Sequence, residues 1–385
     1  MKRILQVLSF LTAICIAGIS ASYAFELNGF ADVSFIKSTE GNNRAEDDDE
    51  YRNGDIAFGT LDLYLAQTLD DIDILVELIV EKGNVLDLER LTLGYTFSDA
   101  VKLRAGRFHT PLGFWNNAYH HGVQLQPTIE RPDFLKFEDD GGVLPTHVVG
   151  ASLGGRVHTG IGAIEYTAMI GNGPQIVDEN EDEYLKKGDD VLSPNNISDN
   201  NIGKAVAFNA AISPSFVSGL KLGVSGHIAE IRSFEPEVID LDADPPKLDE
   251  PVHIDQTIYA FAATYAIGPV DLAAEYFTIN DKDEESGDDF TNNAYYGLVT
   301  LTLMEKWVPY VMYENLSVKE TDPYMGALAN GKDTEELTAG LRYNINYRSS
   351  LKVEYRNIIK ERNLIEDEYQ DADWDEFAVQ WALAF

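Results

Sequence analysis

The feature that most constrains this chain is an alternation of apolar and polar residues, with period two, that recurs in segments of roughly ten residues from Ala24 to the end. In the stretch beginning Gly59-Thr-Leu-Asp, Leu61, Leu63 and Leu65 share one parity while Thr60, Asp62 and Tyr64 share the other. Leu91, Leu93, Tyr95 and Phe97 alternate in the same way with Arg90, Thr92 and Thr96, and Leu351, Val353 and Tyr355 with Lys352, Glu354 and Arg356. A strand sends successive side chains to opposite faces, so each segment offers one face to an apolar phase and the other to water. Beyond the first 24 residues there is no run of 18 apolar residues to form a membrane helix. A spanning chain without such a helix must close into a barrel, because every backbone polar group inside a bilayer needs a partner within the protein.

The alternating segments lie near 25–36, 54–69, 71–83, 86–97, 100–107, 147–156, 161–171, 203–213, 219–231, 254–267, 269–279, 293–304, 306–316, 334–345, 349–361 and 374–385. Sixteen is an even number, as a closed antiparallel barrel with both termini on one side requires. The links between them separate by length. Those near Asp70, Ser98–Asp99, Val157–Gly160, Pro214–Ser218, Gly268, Glu305 and Asn346–Arg348 are short, whereas 37–53, 108–146, 172–202, 232–253, 280–292, 317–333 and 362–373 are long. Only the link near Gly83–Val85 breaks the rule. Short periplasmic turns and long extracellular loops produce this pattern, and a soluble sandwich has no reason to do so. The last segment puts Phe377, Val379, Trp381, Leu383 and the terminal Phe385 on one face, which resembles the signal read by the barrel assembly machinery of outer membranes. Tyr95, Trp307, Tyr347 and Trp381 near segment ends fit interfacial aromatic girdles. The expected fold is therefore all-β, a transmembrane antiparallel β-barrel of about 16 strands over residues 25–385 in the outer membrane.

Residues 1–24 are read as a cleaved signal peptide: Lys2 and Arg3 lead a mostly apolar stretch, and Ser22-Tyr23-Ala24 supplies the small residues of a cleavage site. Cys15, the only cysteine, lies within it, and Ile14 stands where a lipobox needs a small residue. The exported chain then has neither disulfide nor thiolate. Lys2 and Arg3 leave with the signal, so 29 basic residues fall to 27 against 65 acidic, a net charge of −38. That balance excludes nucleic-acid binding by phosphate neutralisation.

Sixteen strands enclose more space than their own side chains fill, so the loop that narrows it matters most. The link 108–146 is the longest, rich in aromatic residues and proline, and is expected to fold inward as a constriction. Parity places Arg90, Lys102, Arg104, Lys221, Arg342, Lys352 and Arg356 on the water-facing side, opposed by Asp32, Asp62, Asp73, Glu77, Glu165 and Glu275. Charges facing each other across a constriction would orient dipolar solutes. Arg107 has the wrong parity but lies where the loop begins, and His109, His120, His121 and Arg131 lie on the loop. Adjacent His120 and His121 do not converge on one point, and no ligand spacing accompanies them, so no transition-metal site is expected.

The stretch Leu103-Arg-Ala-Gly-Arg-Phe-His-Thr-Pro-Leu-Gly, followed by Ile129-Glu-Arg-Pro, resembles the strand-and-loop motif of porins related to the phosphate-selective porin superfamily. The resemblance is specific over roughly residues 103–153. It implies a 16-stranded, homotrimeric porin with an inward-folded loop that passes small hydrophilic solutes or ions by passive diffusion. Phosphate specificity does not carry over, because that family's basic ladder and arginine-lined eyelet have no residue-by-residue match in this more acidic chain.

The acidic runs Glu46–Glu50, Asp178–Glu183, Asp281–Glu285 and Glu366–Glu368 fall on links assigned to the outside. They are expected to gather divalent cations diffusely beside lipopolysaccharide, since none has calcium-loop spacing. No other cofactor is expected. A barrel sheathing a partner protein or acting as an adhesin is the alternative class, and an outer-membrane hydrolase a further one. No local nucleophile-and-base motif supports an enzyme, and no Cys-x-x-Cys-His supports bound haem.

Overall fold

The computed structural model describes residues 26–38, 54–80, 86–119, 122–137, 141–176, 192–193, 203–232, 238–240, 247–248, 253–329, 333–363 and 369–385. The signal segment, His120, His121 and the acidic runs 46–50, 178–183 and 366–368 lie outside the described residues. Sixteen antiparallel strands form one closed barrel. In chain order they are β1 Glu26–Ser38, β2 Asp55–Leu69, β3 Ile72–Val80, β4 Leu86–Ser98, β5 Val101–His109, β6 His147–Thr159, β7 Gly162–Gly171 and β8 Ala205–Pro214. The second half comprises β9 Leu220–Arg232, β10 His253–Ile267, β11 Val270–Asp283, β12 Asp289–Leu301, β13 Trp307–Ser317, β14 Thr334–Asn346, β15 Ser349–Asn363 and β16 Tyr369–Ala384. Two short ribbons, pairing 175–176 with 192–193 and 238–240 with 247–248, lie on long links.

Each expected segment corresponds to one strand, in order. The larger differences are at the long-loop end, where β11 continues to Asp283 and β12 begins at Asp289. There the outward side chains are Asn280, Lys282, Asp289 and Thr291, and the ladder continues with Lys282 opposite Asp289. The hairpin has risen above the apolar layer, so alternation of hydrophobicity stops while hydrogen bonding does not.

Outward positions are apolar and exposed along the wall, with Leu93, Phe97, Phe261, Val311 and Trp381 among them. Such a surface belongs against lipid. Near the short turns, Tyr95 packs on Phe97 and Trp307 on Tyr343, with ring centroids 4.6 and 4.5 Å apart. Tyr276, Tyr295 and Tyr313 run side by side nearer the long loops. These amphipathic rings sit where headgroups meet hydrocarbon.

The seam closes between β1 and β16. Phe385 N donates to Gly29 O and Gly29 N to Phe385 O, both at 3.0 Å. A Cβ on Gly29 would stand 2.4 Å from Asp62 O and 2.7 Å from the Phe385 ring, so the terminal aromatic occupies the space that a side chain there would need.

Candidate channel and its inner loop

The link from β5 to β6 leaves and returns at one point, pinned where Thr110 N donates to Thr146 O at 2.9 Å. Between these residues it crosses the interior and lies on the inner wall of β9 to β15. Among its described residues the backbone is irregular apart from a helical turn at Trp115–Ala118 and a 3-10 turn at Asp133–Leu135, so its N–H groups turn to the wall for acceptors. The wall supplies carboxylates. Glu275 accepts from Phe114 N, from Trp115 N at 2.8 Å and from Tyr296 OH at 2.9 Å. Glu354 accepts from Ile129 N at 2.7 Å and from Tyr310 OH at 2.8 Å, and Glu314 from Asp133 N at 2.7 Å.

Loop carbonyls are met by wall donors. Lys352 Nζ donates to Val123 O and Thr128 O at 2.5 and 2.8 Å, Arg342 Nη1 to Gln126 O at 3.0 Å, and Asn209 Nδ2 to Gly113 O at 3.2 Å. The bonds from Lys352 and Arg342 are charge-assisted and roughly twice as strong as neutral ones. Apolar packing does the rest: Leu112, Trp115, Phe134 and Leu135 join Ile258, Phe277, Tyr296 and Met312 in one cluster. Trp115 meets Tyr296 edge-on at 5.3 Å and Phe134 meets Phe277 at 5.6 Å. Burial alone would raise the Asp133 carboxyl, but the ammonium groups of Lys136 and Lys360, at 2.6 and 2.8 Å, hold it well below the usual carboxylate range. The segment after β13 also turns inward, adding Val318, Tyr324 and Met325 to the cluster.

The residues singled out by parity fall into three groups. Lys102 and Arg104 line the open interior. Arg342, Lys352 and Arg356 are taken up by the docked loop and the wall: Lys352 is 0% exposed, and Arg356 pairs with Glu376 and lies 3.7 Å from Glu354. On β2 to β4, Arg90 pairs with Glu77 and stands 5.5 Å over the Tyr64 ring, with Asp62 buried beside Glu77. Asp73 accepts from Thr68 and Thr96, and Asp32 from Thr60 N and Gln380. Asp32, Asp73 and Glu77 are thus tied into the wall.

Among the loop residues, Arg131 is buried 4.0 Å over the Phe137 ring. Arg107 reaches across β4 to Leu88 O at 2.5 Å and to Glu89 at 3.7 Å. His109 meets the ring of His147, which binds Glu89 at 2.8 Å. This cluster depends on Gly106, whose φ is +129° and where a Cβ would fall 1.9 Å from Leu91 O. Gly106→Ala is expected to cost about 1–3 kcal/mol of stability, the cost of forcing a side chain into a backbone region reserved for glycine, and a lowered urea midpoint in detergent checks it.

What remains open beneath the loop is a cavity of about 440 Å³ along β5 to β10, under Pro111, Gly113 and Phe114. Its charged lining is Lys102, Arg104, Arg156 and Lys221 against Asp99 and Glu165. Glu165 is shared by Lys221 at 2.5 Å and Arg156 at 3.6 Å, which leaves Lys102 and Arg104 without a carboxylate partner among the described residues. Arg156 was absent from the parity assignment, although it shares the inward parity of Ser152 and Gly154. A second space of about 380 Å³, on the far side of the loop, is bordered by Tyr119, Leu125, Asp271 and Arg342.

Residues 194–363 match the family model described as Gram-negative porin. No curated protein is similar in sequence. Among solved structures, an anion-selective porin from Comamonas acidovorans superposes with a TM-score of 0.60 at 12% identity, over 94% of this chain and 100% of that one. The outer membrane channel DcaP of Acinetobacter baumannii gives 0.59 at 12% identity, over 94% and 98%. OmpT of Vibrio cholerae, in a trimer form, gives 0.57 at 11% identity, over 95% and 100%.

Proposed function

We propose that this 16-stranded barrel, of which residues 194–363 match the Gram-negative porin model, is a water-filled outer-membrane channel for passive diffusion of small hydrophilic solutes and ions, with a preference for anions. The observation that carries this reading is the lining of the open cavity: four cations against two carboxylates, with Lys102 and Arg104 unpaired among the described residues. The chain as a whole is strongly acidic, yet the docked loop covers the acidic wall and leaves the basic one facing water. Local lining, rather than net charge, sets what an ion meets at the narrowest point. Acidic loops at the mouth act on approach, and salt screens them within about 10 Å.

Purified protein in planar bilayers under a salt gradient tests the proposal. The expected result is discrete conductance steps with a reversal potential of the sign set by anion flow. Absence of channels would overturn the porin reading, and a reversal potential of the opposite sign would overturn the anion preference alone. We further read the chain as a homotrimer resting against lipopolysaccharide and delivered by the barrel assembly machinery. The trimer form of the OmpT neighbour and the aromatic C-terminal strand support that reading.

A further inference from the structure

At the long-loop end of the interior, four polar side chains from three adjacent strands and one loop meet, each no more than 2% exposed: Gln256, Asp281, Asn292 and Asp322. Gln256 on β10 stands directly across from Asp281 on β11, and Asn292 lies on β12. Asp322 comes from the segment after β13. Its Oδ1 accepts from Tyr324 N and Met325 N at 3.0 Å and its Oδ2 from Asn292 Nδ2 at 2.8 Å, while Asn292 Oδ1 accepts from Lys319 N at 2.7 Å. Asp322 is thereby fixed with its carboxylate toward Asp281.

Asp281 is different. The Gln256 amide and the Asp322 carboxylate lie against its two buried oxygens, yet neither these oxygens nor the Gln256 amide nitrogen makes a well-formed hydrogen bond. Most other buried carboxylates of this interior have a base or several donors: Glu77 has Arg90, Glu354 has Arg356, Asp133 has Lys360 and Glu275 accepts from two backbone N–H groups and Tyr296 OH, while Asp62, whose oxygens likewise make no well-formed hydrogen bond, has Arg90 acting on it. Asp281 faces another carboxylate and an amide, with no Lys, Arg or His against it among the described residues. Two adjacent buried carboxylates with no counter-charge are strongly unfavourable. A hard divalent cation takes oxygen ligands of this kind: two carboxylates, an amide oxygen and water.

We propose that Asp281 and Asp322, with the Gln256 amide turned to present its oxygen, form a divalent-cation site of the calcium class that holds the 318–329 segment inside the barrel mouth. The site is independent of solute preference, so failure of the channel reading leaves it standing. It also differs from the diffuse attraction of cations to exposed acidic runs, because its oxygens are buried and few.

The test is a calcium titration of the full-length protein in detergent at fixed pH, by isothermal calorimetry and by unfolding temperature, beside Asp281→Asn and Asp322→Asn. Both variants keep the acidic runs 46–50, 178–183 and 366–368 and the residues 283–285, so the background of diffuse binding is nearly the same in every sample. The expected result is one site per chain whose affinity falls at least tenfold in each variant. In the wild type, calcium at 100-fold its Kd should raise the unfolding temperature by roughly 5 °C over a chelated sample. Equal calcium response in wild type and variants would overturn the proposal. So would a wild type whose stability responds to pH and not to calcium, the behaviour of a carboxylate pair sharing one proton. Should the variants fail to fold, the wild-type calcium response decides alone.

Discussion

Glu275→Ala should enlarge the channel and destabilise the barrel in the same step. The substitution leaves Phe114 N, Trp115 N and Tyr296 OH without their shared acceptor, in a region where Trp115 is 0% exposed. Each bond to a charged group contributes about 1.5–3 kcal/mol, and removing one partner from a buried set exposes the others to the full cost of desolvation. A loss of about 3–5 kcal/mol follows, enough to release this end of the loop from the wall. Single-channel conductance should therefore rise above wild type and become noisier, and the urea midpoint should fall. Glu275→Gln, which keeps one acceptor oxygen, should lie between the two. An unchanged conductance in Glu275→Ala would mean that the Glu354 and Glu314 anchors, at the far end of the loop, suffice to hold it.

The second large effect concerns selectivity. Lys102→Gln combined with Arg104→Gln removes both unpaired cations of the open cavity and leaves Lys221 and Arg156 tied to Glu165. A unit charge about 5 Å from a permeating ion in water is worth about 0.8 kcal/mol, roughly a fourfold change in occupancy, so two charges change anion occupancy by about sixteenfold and the anion-to-cation ratio by more, since cations respond with the opposite sign. The reversal potential in a salt gradient should move from the anion side to the cation side. Arg131→Gln should produce no comparable shift, because that guanidinium is buried over the Phe137 ring and meets no permeating ion. A shift of similar size in Arg131→Gln would place the constriction at the loop itself rather than on the β5 wall.

These two expectations draw on different depths of information. Lys102 and Arg104 were legible as inward-facing from parity alone, since Leu103 between them points outward. That Lys352 and Arg342 share the same parity yet serve as loop anchors was not legible. Their partners, Val123, Thr128 and Gln126, lie more than 200 residues away in sequence. Strands β10 to β13 carry a partial signal: Ile258, Phe277, Ile279 and Met312 are apolar on the inward face as well. A strand apolar on both faces in a water-filled barrel has something packed inside it. The inward turn of 318–329 left no comparable trace, because its hydrophobic contribution, Val318, Tyr324 and Met325 with Leu328 and Ala329 beside them, follows no strand alternation.

The sequence by itself determined the number of strands, their order, which side chains face lipid and which links are long, because each of these follows from local alternation and from the ladder between neighbouring strands. Tertiary structure alone decided which inward charges meet water. That choice was made when the 108–146 loop docked on one side of the interior, covering Glu275, Glu314, Glu354 and Lys352 and leaving Lys102 and Arg104 bare. Docking depends on hydrogen bonds and packing between residues 96 to 229 positions apart, and period-two alternation carries no record of contacts across a barrel.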